Sequence, residues 1–176
     1  MIGYAADAAA AEEAMKKRGE IRQHFPSFFC VGPMRERPLT EELSAARERT
    51  ERFFAQISGG QISGGREGIV PLGRGGVLKG LWDLGEKYSS GMEADIHKIP
   101  VRQETIEICE YLNLDPYYAD SAGSFLLAAA DGHLLLEECR KRGIAAALIG
   151  VLGEERARVI RFPGHTRYLD KPRAYL

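Results

Sequence analysis

The chain has 176 residues, 44% hydrophobic and 28% charged, with a formal net charge of −1, which suits one globular domain plus an additional segment and argues against disorder throughout. The near-neutral balance supplies no general field to gather nucleic acid or an anionic membrane surface. No apolar run approaches the roughly 20 residues that span a bilayer, and the first residues lack a basic start followed by a greasy segment, so a cytoplasmic protein is expected, without nucleic-acid or membrane partners.

Residues 5–22 are rich in Ala, Glu, Lys and Arg, which predicts a helix that Pro26 and the Gly32–Pro38 stretch interrupt. A second helix is predicted from near Thr40. Leu39, Leu43, Ala46, Thr50, Phe53, Phe54 and Ile57 recur at three- and four-residue steps and form one apolar face, leaving Arg47, Glu48, Arg49 and Glu51 for solvent. QISGG then occurs twice in succession, at 56–60 and 61–65. From Gly60 the run GQISGGRE approaches a P-loop but has Arg66 and Glu67 where Lys and Ser/Thr belong, so it reads as a flexible linker.

From Ile69 the pattern becomes alternating helices and strands. Gly75 and Gly76 open a helix with Val77, Leu78, Leu81, Trp82, Leu84, Gly85 and Tyr88 on its apolar face, and Met92–Ile96 reads as a strand. Pro100 suits the first turn of a helix whose inner face is Val101, Thr105, Ile108, Cys109 and Leu112. Strands are predicted at Ser124–Ala129, Ile144–Ile149, Ala157–Phe162 and His165–Leu169. Between the first two, a helix runs from an Asp131 cap to Arg142, with Gly143 closing it.

Cys30, Cys109 and Cys139 are an odd, widely spaced set with no CxxC or Cys/His ligand spacing, so no structural metal is expected and Cys109 and Cys139 read as core residues. Asp83, Glu86, Glu93 and Asp95 would hold magnesium only if their faces converged, and they suit solvated positions.

The stretch Gly73–Pro116, GRGGVLKGLWDLGEKYSSGMEADIHKIPVRQETIEICEYLNLDP, joins a glycine-arginine turn, two amphipathic helices and a strand. It resembles the C-terminal domain of the AIR synthase (aminoimidazole ribonucleotide synthetase) superfamily, with closest likeness to AIR synthase-related proteins and to the hydrogenase maturation proteins that dehydrate a carbamoyl group. The likeness covers Ile69 to about Asp170 and, more weakly, Gly3–Phe29. It implies an α/β (α+β) sandwich of a mixed sheet with helices, partly ferredoxin-like, preceded by an N-terminal helical segment. The implied organisation is a helical segment at 1–57, a Gly-rich linker at 58–68 and the family domain at 69–176.

In the maturation family the first matching helix follows His-Asp-Pro-Thr-Arg-Gly-Gly, where this chain has Val70, Pro71, Leu72, Gly73, Arg74, Gly75 and Gly76; the Arg-Gly-Gly is kept. Glycines at a helix start let backbone N–H groups approach a phosphate, and Arg74 can add a charge-assisted bond. The same residues also suit a tight strand-to-helix turn with Arg74 solvated, and both readings stand. A family Asn-Glu-Gly is replaced by Ser121, Ala122 and Gly123, so a carboxylate able to act as acid or base is missing. The chain ends Lys171-Pro172-Arg173-Ala174-Tyr175-Leu176 where the maturation protein carries a reactive cysteine, so that carbamoyl chemistry is not expected.

The candidate phosphate or nucleotide residues are therefore Arg74, Gly75, Gly76, Ser121 and Gly123, with no metal site and no catalytic residue assigned. The resemblance implies the C-terminal half of an ATP-dependent protein, using ATP and magnesium only together with an N-terminal ATP-binding domain that was removed, lies on another polypeptide or was lost. Whether the chain is an enzyme stays open. The alternatives are a non-catalytic module that self-associates as a homo-oligomer or binds another protein, and a ligand sensor without turnover.

Overall fold

The computed structural model describes residues 1–25, 39–56 and 68–172. Apart from Gln56, the duplicated QISGG lies outside them, as do the near P-loop and Cys30.

The alanine-rich start forms two helices, α1 (Asp7–Lys16) and α2 (Arg18–His24), where one was expected. The break falls at Lys17, beside Gly19, whose flexible backbone weakens a continuous helix. The second predicted helix is α3 (Leu39–Gln56). Thr50, Phe53 and Phe54 are buried on it, while Arg47–Glu51 and Arg52–Glu48 pair across one turn on its outer side. After β1 (Val70–Pro71) come α4 (Gly76–Lys87), β2 (Gly91–Asp95), a 3-10 turn at Ile96–Lys98 and α5 (Gln103–Tyr111). The chain then forms β3 (Phe125–Leu126), α6 (Gly132–Lys141), β4 (Gly150–Gly153), β5 (Arg158–Phe162) and β6 (His165–Tyr168).

Four strands make a mixed sheet in the order β4-β2-β5-β6, with β2 and β5 parallel and the other pairs antiparallel. β1 and β3 form a small antiparallel pair. Val77, Leu81 and Leu84 of α4 pack onto Met92, Ala94 and Ile160 of the larger sheet. A second cluster joins Phe53 and Phe54 of α3 to Leu135 and Cys139 of α6, and a third joins Ala10, Ala14 and Ile21 to Ile108 of α5. The expected mixed sheet packed with helices is the observed architecture.

Two predicted strands differ in form. Of Ser124–Ala129 only Phe125 and Leu126 pair regularly, and Ile144–Ile149 contains one isolated bridge. The reason is the chain start, which runs between them. Ile2 exchanges both backbone hydrogen bonds with Phe125 at 2.9 Å, while Gly3 donates to the Ala145 carbonyl and Ala147 to the Met1 carbonyl on its other side. Two residues further on, the Ile149 carbonyl accepts from Asp95 of β2, and the β4 ladder begins. Residues 145–153 thus pair first with the chain start and then with β2.

Candidate functional site

Three segments meet at the beginning of α4: the turn Gly73–Gly76, the loop Tyr117–Gly123, and residues 3–7 leading into α1. Gly75 caps the helix in the left-handed region at φ 91°, and Gly76 follows at φ 64°, values that glycine adopts without steric cost. The Gly76 amide donates to the Gly73 carbonyl at 3.0 Å and the Leu78 amide to the Tyr117 carbonyl at 3.2 Å. A Cβ built on Gly76 would overlap the Tyr117 oxygen and lie 2.8 Å from the Ala119 oxygen. Backbone carbonyls therefore cover part of the helix start where free N–H groups would meet an anion.

Arg74 is exposed at this turn, and among the described residues its side chain makes no hydrogen bond or ion pair. Its charge is felt by Glu12 of α1, whose carboxyl is held below the ordinary range mainly by a hydrogen bond from Lys16, with Arg74 a smaller influence. Ser121 is fully buried. Its amide donates to the Gly73 carbonyl at 3.3 Å, its hydroxyl donates to the Ala119 carbonyl at 3.0 Å, and it accepts from the Ala6 amide at 2.9 Å. Ser124 likewise donates to the Tyr4 carbonyl at 2.8 Å. Gly123 sits in the left-handed region at φ 91° with open space where a side chain would go. The fold thus brings Arg74, Gly75, Gly76 and Ser121 together, with Ser121 holding the loop to the helix start and to α1.

Beside them is a buried charge that periodicity alone did not reveal. Asp7, in the first turn of α1, accepts a 2.7 Å hydrogen bond from Thr105 Oγ1 and lies 3.0 Å from Arg102 Nε; the guanidinium stacks 4.7 Å above the Tyr4 ring. Burial pushes the Asp7 carboxyl up, and Thr105 and Arg102 pull it partly back. The available signal was a lone aspartate opening an alanine-rich helix, with Thr105 on the inner face of α5.

The four acidic residues considered for magnesium are separately engaged. Asp83 pairs with Lys79 at 2.5 Å, Glu86 with Arg158 at 2.6 Å and Glu93 with Arg161, while Asp95 accepts from the His97 amide. Among the described residues no three His, Cys, Asp or Glu side chains are placed to hold a metal ion. Cys109 and Cys139 are buried, and desolvation pushes both thiols up to about 11. No helix of the described residues is long and apolar enough to cross a membrane. An apolar cavity of about 470 Å³ lies apart from Arg74, between β2, β3, α4 and α6.

The family model described as AIR synthase related protein, C-terminal domain, matches residues 41–162, a span that starts within α3 and ends with β5. The carbamoyl dehydratase HypE of Azotobacter vinelandii is 32% identical over 104 residues, covering 55% of this chain and 30% of that relative. The solved structure of E. coli HypE, a hydrogenase maturation protein, has a TM-score of 0.66 at 20% identity over 98% of this chain and 48% of that one. A HypE structure in complex with ATP has a TM-score of 0.51 at 20% identity over 58% of this chain and 34% of its own. The chain spans about half of the solved E. coli protein and less than a third of the curated relative. On the matched span and the shared fold, this chain belongs to the AIR synthase-related C-terminal domain family.

Proposed function

We propose that the chain is the C-terminal half of a hydrogenase-maturation-like protein of the cytoplasm and forms one wall of a nucleotide or phosphate site that an ATP-binding half completes. The observation that carries this reading is Arg74, an exposed guanidinium with no described partner, held on a left-handed glycine turn at a helix start. An arginine so placed donates charge-assisted hydrogen bonds to a phosphate oxygen, and the helix dipole favours the same charge. Gly75 lets the backbone come close, and Ser121 and Gly123 shape the neighbouring loop. A HypE relative is solved with ATP, which supports ATP as the nucleotide.

The donor set divides the work between the two halves. This chain offers a cation and backbone but, among the described residues, no cluster of carboxylates, so magnesium would be held by the companion half or by the phosphates themselves. The chain would not turn substrate over alone. A thermal melt with and without Mg-ATP, with the companion half present and absent, tests this. The expected result is a rise in melting temperature that is largest with both halves and lost in Arg74→Ala. No rise in either setting would remove nucleotide binding.

A second reading is favoured by the carbonyls of Tyr117 and Ala119, which give Gly76 a structural reason to be glycine. Under it the domain is a self-associating or protein-binding module. Sedimentation of the isolated chain would then show a homo-oligomer unaffected by nucleotide.

A further inference from the structure

We propose that the loop Tyr117–Gly123 is a built-in plug on the phosphate site, holding it closed until a polyphosphate displaces the loop. The proposal rests on the phosphate reading above and adds its regulation. Two helices start beside this loop without a capping side chain: α1 follows Ala6 and α4 follows Gly75, both in the left-handed region. An N-cap side chain ordinarily accepts from the amide of the second or third helical residue. Here the third residue of each helix gives its amide to the loop instead, Ala9 to the Asp120 carbonyl at 3.1 Å and Leu78 to the Tyr117 carbonyl at 3.2 Å. One short loop thus caps two helix starts.

Each capped amide is one that an anion would take, because both helix dipoles present their positive ends there. The loop is the weaker occupant. It offers neutral carbonyls, whereas a polyphosphate offers full charges to the same amides and to the exposed Arg74, and charge-assisted hydrogen bonds are roughly twice as strong as neutral ones. What retains the loop is Ser121. Its hydroxyl accepts from the Ala6 amide at 2.9 Å and donates to the Ala119 carbonyl at 3.0 Å, and its own amide donates to the Gly73 carbonyl at 3.3 Å. The loop also has two pivots: Gly123, at φ 91° with nothing within 4 Å of where a side chain would go, and Tyr117, whose ring packs against the core while the next residue, Tyr118, is 49% exposed. A ligand opens such a loop only by binding the open form more tightly, so weakening the closed form must tighten ligand binding.

The test uses the whole chain and inorganic tripolyphosphate, with NMR titration and amide hydrogen exchange as readouts. Saturating tripolyphosphate is expected to speed exchange at the Ser121 and Ala6 amides of the parent about tenfold or more, while Leu78 stays protected, whereas a ligand on a fixed loop slows exchange or leaves it unchanged. Ser121→Ala is expected to bind tripolyphosphate about fivefold or more tighter than the parent, since it releases the closed form, and adding Arg74→Ala to it should abolish that binding. Far-UV circular dichroism reports whether Ser121→Ala folds, and if it does not, exchange in the parent decides. Unchanged or slowed exchange at Ser121 in the saturated parent, or equal or weaker binding by folded Ser121→Ala, would overturn the plug and leave the phosphate reading standing. Absence of binding by both parent and variant at millimolar tripolyphosphate would also overturn the plug, and the melt with both halves then decides the phosphate reading separately.

Discussion

The carbonyl oxygen of Tyr117 stands where a side chain on Gly76 would have to be. This contact fixes the loop before β3 against the first turn of α4. It joins two segments whose partnership no local sequence pattern reports.

Gly76→Ala should therefore be destabilising by at least about 2 kcal/mol, because a left-handed φ costs a non-glycine residue about 1–2 kcal/mol and the Tyr117 carbonyl must also move. Gly123→Ala, at φ 91°, meets open space around the added methyl, so its cost should stay within the backbone term of about 1–2 kcal/mol. Urea unfolding of the two variants checks the ordering. Equal losses would mean that the carbonyl contact adds nothing.

Arg74→Ala should leave stability within about 0.5 kcal/mol of the parent, as expected for an exposed side chain without partners. Under the proposed function it nonetheless removes the thermal shift given by Mg-ATP. Calorimetry with and without nucleotide reads both quantities from the same sample. A large loss of stability without nucleotide would show that Arg74 is a structural residue.

Asp7 gives a pH dependence of definite sign. Its folded carboxyl is raised above 3.8, with burial the main cause. The stability it contributes is therefore fully present below pH 3.8 and lost as pH rises through the folded value. The stability difference between parent and Asp7→Asn should fall over that interval and then level off. Thr105→Val removes a hydrogen bond to this buried group and should cost about 1–3 kcal/mol at neutral pH. A difference between parent and Asp7→Asn that rises with pH would show that Arg102 and Thr105 outweigh burial.

Cys109 and Cys139 should resist alkylation in the folded chain at pH 8 and react once it is unfolded. Both thiols are buried, with values pushed up to about 11, so little thiolate forms. Peptide mapping after iodoacetamide treatment distinguishes them from Cys30. Modification of either in the native protein would point to local opening of α5 or α6.

The sequence and the structure agree best where the signal is local. α6 begins where Asp131 predicts, its carboxylate accepting from the Leu134 amide at 2.9 Å, and α4 begins at the glycine pair. The face of α3 built from Thr50, Phe53 and Phe54 is buried as its spacing implies. Agreement weakens where pairing is distant. Residues 127–129 and 144–149 have strand-like composition, but hydrophobic alternation specifies an extended backbone without naming its partner, and Ile2 takes the position between Phe125 and Ala146. At the candidate site Arg74 was legible as a charge beside glycines. The Tyr117 carbonyl and the Asp7–Thr105 hydrogen bond were not, since one involves main chain and the other joins segments far apart in sequence.

The placement of Ile2 between Phe125 and Ala146 bears on how the protein comes into being. Residues 1–3 have no seat until both flanking segments, more than 100 residues later in the sequence, have been synthesised. The helices can form early, but Ile2 must wait, unpaired and apolar, until Ala146 has left the ribosome. Closure of this part of the fold consequently depends on contacts between segments far apart in sequence, which form slowly.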